Sequence, residues 1–367
     1  MLGKTLKAQL ILENGMTFEG EAFGYLKEVT GEVVFYSGAA GYQETLTDPA
    51  LAGKLVVMTY PLVGNYGVNL DDDESDVPRL KALIVRESCA LPNNWRCEME
   101  LEGFLKQHRI VGIQGIDTRA LTRAIRDNGA MKGIITTRFA EMTESQIKSR
   151  FTNYNEKIAL DAITCAEKYS TDNKGRHVVV LDLGLRRSML KELQSRGLRL
   201  TVMPATSTAD EILAEKPDAV LVSPGAPIFE EAALAAGIVD TVKALLAAKK
   251  PVAGIGTGYC VVGAALGCTV SKLKYGNHGA SYAVKDNKTK RLYTTSQNIG
   301  YAVTAPAEGV TATMTAVNGG GIEAIRSQSL PAYGVKFIPG TSACKEASTG
   351  FVFDAIAALT EEGKAHA

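Results

Sequence analysis

The chain has 367 residues, 46% hydrophobic and 22% charged, with 40 basic and 40 acidic side chains and no net charge. Its length calls for two domains, and the neutral balance removes the electrostatic case for nucleic acid or an anionic membrane as a partner. No apolar run approaches a bilayer span, and Met1 to Lys7 lacks the apolar core of a secretory signal. Cys89, Cys97, Cys165, Cys260, Cys268 and Cys344 form no C-x-x-C pair, which suits free thiols in a cytoplasmic protein and argues against a metal knuckle. Histidine is scarce: His108, His177, His278 and His366.

Residues 8–35 alternate apolar and polar, with Asn14-Gly15 between the first two runs, so the chain opens on a β-hairpin in a β-rich, antiparallel unit. Residues 54–60 read as a further strand. The acidic run Asp71 to Asp76 carries no calcium-loop glycine spacing and reads as a solvated loop before the strand Ala82 to Val85. A helix over 100–107, a strand over 110–113, a helix capped by Asp117 and a strand over 133–136 follow. Periodicity then fades, and Tyr169 to Gly175 reads as a linker. The predicted domains are 1–172 and 173–367.

The second half changes character. Strands at 177–184, 198–204, 219–223 and 250–255 alternate with helices at 187–195, 208–214 and 229–248. Apolar strands alternating with helices predict an α/β domain with a mainly parallel sheet covered on both faces, whose ligands gather at the strand carboxyl ends. One of those ends is Gly254-Ile255-Gly256-Thr257-Gly258, a strand turning sharply into an apolar helix. Such an elbow presents a nucleophile and sets helix N–H groups beside an oxyanion. The presenting position here is Gly256, which has no side chain. Short strands at 292–296, 301–303, 311–314 and 332–337 and a helix near 350–360 complete the reading. No P-loop or dinucleotide fingerprint occurs.

The whole succession resembles the small, glutamine-hydrolysing subunit of carbamoyl-phosphate synthetase. The resemblance is carried by Gly31 to Phe35, Gly41 to Pro49, Gly64-Asn65-Tyr66-Gly67 and Asp117 to Arg123 in the first half. In the second it is carried by Lys272 to Ala280 and Thr295-Ser296-Gln297-Asn298. It implies a β-rich small-subunit domain followed by a class I glutamine amidotransferase domain. In that family a Cys-His-Glu triad cleaves glutamine, and ammonia passes to a large subunit. By the resemblance, Gly256, Ile338 and Gly340 stand where the three triad residues would be. The vestigial substrate pocket is expected at Gly38, Gly225, Thr257, Gly258, Cys260, Asn298, Ile299, Gly300 and Tyr301.

Three functions remain open on the sequence. The first is a non-catalytic small subunit, structural or regulatory, on a large subunit that carries ATP and divalent metal and serves arginine or pyrimidine biosynthesis. No cofactor is expected on this chain itself. The second is a stand-alone binding protein using a remodelled pocket around Gly256, Ile299 and Ile338. The third is an amidotransferase with chemistry relocated to Cys260, one turn into the helix, where the helix dipole can favour a thiolate.

Overall fold

A computed structural model of the protein describes residues 6–154, 160–340 and 349–365; Cys344 and His366 lie outside the described residues. The chain divides into two compact units, Met1–Lys157 with Lys274–His278, and Ile158–Leu273 with Gly279–Ala367. The division falls before the residue 172 expected from composition. The reason is local: Tyr169 and Ser170 are not linker but pair antiparallel with Val202 and Thr201 of the second unit. An exposed two-residue edge strand carries no hydrophobic signature that sequence reading can detect.

The first unit is built on a closed seven-stranded barrel. Its opening hairpin forms as expected, Lys7–Leu12 against Thr17–Gly24, with Gly15 at φ 87° in the turn. The unit is not wholly antiparallel. Val29–Tyr36, Leu55–Met58, Ala82–Ile84 and Val111–Gln114 run parallel to one another in succession. Strand alternation divides the side chains between two apolar clusters: Leu55 and Val57 enter one, Val56 and Met58 the other. The helix Thr118–Asn128 adds Leu121 and Ile125 to the first of these, and Asp117 caps it by accepting the Ala120 N–H at 2.9 Å.

The acidic run is not a solvated loop. Glu74 is buried and its N–H reaches Thr47 Oγ1, Asp73 accepts from Gln43, and Asp72 takes both guanidinium nitrogens of Arg96 at 2.8 and 3.0 Å. These bonds tie residues 69–74 to the Tyr42–Leu46 helix, whose Tyr42 stacks on Tyr66 at 4.1 Å between ring centres.

The second unit holds a ten-stranded sheet. Arg199–Pro204, His177–Asp182, Ala219–Val222, Val252–Ile255 and Ala332–Val335 are parallel neighbours in that order. Ile322–Ser327 and Val310–Ala316 extend the sheet antiparallel. Two long strands, Thr269–Asp286 and Leu292–Ala305, complete it. The second replaces two short strands expected over 292–303, and the first holds His278, 5% exposed.

Successive residues of the central strands face opposite layers. Val178, Val180, Leu221, Ala253 and Ile255 pack with Met189, Leu193, Phe353 and Ile356 of the helices Arg187–Ser195 and Phe351–Ala365. Val179, Leu181, Val220 and Val222 pack with Ile238, Val242 and Leu245 of the helix Ala232–Ala247 and with Val261 and Val262. Each such side chain taken out of water stabilises by about 1.5–3 kcal/mol, so both sheet faces must be covered and strand ends are left for function.

Candidate functional site

The strand Val252–Ile255 turns at Gly256 into the helix Thr257–Ala265. Gly256 sits at φ 57°, ψ −118°, a backbone conformation that side-chain-bearing residues adopt only under strain. The turn is fixed from both sides: Gly256 N–H donates to the Val335 carbonyl at 2.9 Å, and Tyr259 N–H returns to the Gly256 carbonyl at 3.0 Å. The flanking glycines are sterically required. A Cβ on Gly254 would lie 2.3 Å from the Gly258 carbonyl oxygen, and one on Gly258 2.1 Å from that of Val222. Strand and helix meet backbone to backbone, which only glycine permits.

What faces the presenting position is apolar. A Cβ on Gly256 would stand 2.9 Å from Pro224 Cβ and 3.4 Å from Ile338 Cδ1. Ile338 is 2% exposed and its N–H donates to the Ser296 carbonyl at 2.8 Å. Every residue from Pro251 to Cys260 is buried. The third position implied by the resemblance, Gly340, has φ 80°, and a Cβ there would touch the Phe353 ring at 3.3 Å. Its N–H donates to Thr349 Oγ1 at 2.9 Å. The Gly256, Ile338 and Gly340 positions offer no thiol, imidazole or carboxylate.

The loop after Ala219–Val222 is fixed by close backbone contacts. Gly225, at φ 143°, would bring a Cβ within 2.0 Å of the Leu183 carbonyl oxygen, and Ala226 N–H donates to that oxygen at 2.8 Å. Thr257 joins loop and helix, its hydroxyl donating to the Gly225 carbonyl at 3.0 Å. Asp182, at the neighbouring strand end, accepts the N–H groups of Cys165, Gly184 and Leu185. It therefore serves as a turn-former.

Cys260 does not open onto the turn. It is fully buried with Tyr259, Cys268, Ile299, Val303 and Ile325. Burial pushes its thiol well above the usual range, outweighing the opposing Lys336 charge. A dipole-activated thiolate at this place is overridden by desolvation. Ile299 shares the Cys260 cluster, whereas Ile338 belongs to the cluster with Ile255 and Phe337. The two isoleucines thus belong to different apolar clusters.

Residues 10–135 match the family described as carbamoyl-phosphate synthase small chain, CPSase domain, and residues 179–355 match glutamine amidotransferase class-I. A carbamoyl phosphate synthase small chain of Clostridium perfringens is 42% identical over 91% of this chain and 94% of its own. That of Bacillus caldolyticus is 39% identical over 97% of both chains, and the pyrimidine-specific small chain of Bacillus subtilis 39% over 92% of both. The chain belongs to the carbamoyl-phosphate synthase small-chain family.

Within this small-chain fold, Gly225, Gly256, Thr257, Gly258 and Ile338 come together at the turn. Gly38 lies in the first unit, after the strand Val29–Tyr36, where a Cβ would strike Tyr36 Cε1 at 2.5 Å. Asn298 is buried in the strand Leu292–Ala305, Gly300 has open space at its Cβ position, and Tyr301 packs against Phe229 at 5.6 Å between rings.

Sequence reading missed one feature beside the turn. Lys336 Nζ lies 2.5 Å from Glu323 Oε1, both essentially buried, and Gln297 Nε2 donates to Glu323 Oε2 at 2.7 Å. Burial pushes the Glu323 carboxyl up while Lys336 opposes that shift. The signal was one lysine in the apolar run Gly334 to Ile338, which demands a buried counter-charge. Among the described residues no three His, Cys, Asp or Glu side chains gather as a metal cluster, and no helix is long and apolar enough to cross a membrane.

Proposed function

We propose that this small chain has lost glutamine hydrolysis and acts as a non-catalytic, structural or regulatory subunit of a large-subunit synthetase. The partner would make carbamoyl phosphate from bicarbonate, ammonia and ATP, and would hold the ATP and divalent metal itself. The observation that supports this is the turn at Gly256, which keeps the strained shape that presents a nucleophile but meets Pro224 and Ile338 where one would project. Amide cleavage by acyl transfer needs a nucleophile and a base within hydrogen-bond reach, and without them only residual catalysis from binding survives. The buried, proton-retaining Cys260 does not supply that pair.

The reading places the complex in the cytoplasm. The pyrimidine-specific name of the Bacillus subtilis relative favours pyrimidine over arginine biosynthesis as the destination of the product. The test is reconstitution with the cognate large chain, comparing glutamine and ammonium as nitrogen donors. Ammonium-dependent synthesis with no glutamate released from glutamine is expected. Glutamine-driven synthesis sinks the loss of chemistry, and failure of the two chains to co-purify sinks the subunit role.

A further inference from the structure

A second concave site lies at the other end of the same sheet. It is a cavity of about 330 Å³ walled by Lys249, Arg326 and the turn from Ser327 to Pro331. Lys249 and Pro331 precede the parallel strands Val252–Ile255 and Ala332–Val335, so the cavity sits at their amino ends, whereas Gly256 follows a carboxyl end. Its walls carry two cationic side chains, two serines and a glutamine, and no carboxylate. We propose that this cavity binds a small dianionic oxyanion, a phosphate group or a dicarboxylate.

The turn is held in place before any ligand arrives. Ser327 Oγ accepts the Leu330 N–H at 3.2 Å. Gln328 donates its N–H to the Gly309 carbonyl at 2.9 Å and its side-chain amide to Thr311 Oγ1 at 3.0 Å. Preorganised walls lower the ordering cost of binding. Lys249 follows the helix Ala232–Ala247 in the left-handed region, φ 57°, with its N–H on the Leu246 carbonyl and that of Lys250 on Leu245. Glycine is the usual residue of such a helix stop.

A lysine at a helix carboxyl end also complements the helix dipole, and Arg109 and Lys216 share its backbone conformation. That alone assigns nothing to Lys249. The same cavity is also lined by a second cation, Arg326, from the strand Ile322–Ser327, which pairs antiparallel with Ala332–Val335. Two cationic side chains and two serine hydroxyls lining one cavity match an oxyanion carrying two charges. The volume lies at the small end of ligand sites.

The experiment is calorimetric titration of the full chain with inorganic phosphate and, separately, with succinate, at fixed ionic strength. Saturable binding of at least one is expected. Lys249 is exposed, so Lys249→Glu should leave the circular dichroism unchanged and lower the urea midpoint only slightly, through the lost complement to the helix dipole, while weakening binding about tenfold or more, the size of one lost charge-assisted hydrogen bond. Lys249→Arg should retain it. Succinate binding without phosphate binding keeps the site and assigns it to carboxylates. Absence of saturable binding for both anions overturns the proposal, as does unchanged affinity in Lys249→Glu and Arg326→Gln. None of these outcomes bears on glutamine hydrolysis.

Discussion

Putting a cysteine back at Gly256 is predicted to damage the protein without restoring an enzyme. Any side chain there must adopt φ 57°, ψ −118°, which costs about 1–3 kcal/mol. Its Cβ would also stand 2.9 Å from Pro224 Cβ, so the loop must retreat or the helix shift, an overpacking cost of roughly 1–3 kcal/mol. Losing a glycine stiffens the unfolded chain and returns about 0.4–1 kcal/mol. The net expectation for Gly256→Cys is a loss of about 1–5 kcal/mol, read as a lower urea midpoint of the second unit's transition. The matched control is Gly300→Ala, which meets open space and should shift the midpoint little. Glutamate release by Gly256→Cys should stay at background, because Ile338 and Gly340 supply no base. Wild-type stability in Gly256→Cys would refute the packing argument. Measurable glutaminase activity would refute the assignment of the missing base.

Three further outcomes are expected. Lys336→Met leaves the Glu323 carboxylate buried without its cation and should cost about 3–5 kcal/mol, much of it recovered in the double variant Lys336→Met/Glu323→Gln; strictly additive losses in a double-mutant cycle would disprove the coupling. Cys260 should resist iodoacetamide in the native protein, and so should Cys165, whose thiol burial and the Asp182 carboxylate push up to about 12, while half-buried Cys89 and Cys97 react first, as peptide mapping of the alkylated chain would reveal. Acid should destabilise the protein in two windows. Hydrogen bonding to Arg138, aided by Thr136 and Arg150 against the effect of burial, holds Glu28 down at about 2. Its contribution is complete above the unfolded value near 4.5 and fades as pH falls from there toward 2. Burial and the Arg199 charge push His177 below 6.5, so its contribution is complete above that value and declines as pH falls below it. Glu28→Gln should flatten the lower window and His177→Gln the upper one in a pH series of urea midpoints.

Much of this architecture was legible because local patterns and tertiary burial agreed. The parallel strands advertise themselves as continuous apolar runs, and the elbow by glycines that the close backbone contact demands. The parallel strand pairs of the barrel were not legible, since pairing Leu55–Met58 with Ala82–Ile84 joins segments whose own composition fits either direction. The acidic run misled for a related reason. Asp72 and Glu74 look solvated until Arg96 and Thr47, each more than twenty residues away, supply their partners. At the candidate site, the empty presenting position could be read directly, but the separation of Ile299 from Ile338 could not. Ile299 lies in the strand Leu292–Ala305 while Ile338 follows the end of the strand Ala332–Val335, and only the three-dimensional packing assigns them to different apolar clusters.

The closed barrel of the first unit carries a consequence for assembly. Its strands leave no open row of amide and carbonyl groups, so a companion chain has no template on which to add a strand. Recognition through that sheet must be written in side chains and loops. Such an association can drift in strength by single substitutions, without any change in how the polypeptide is woven.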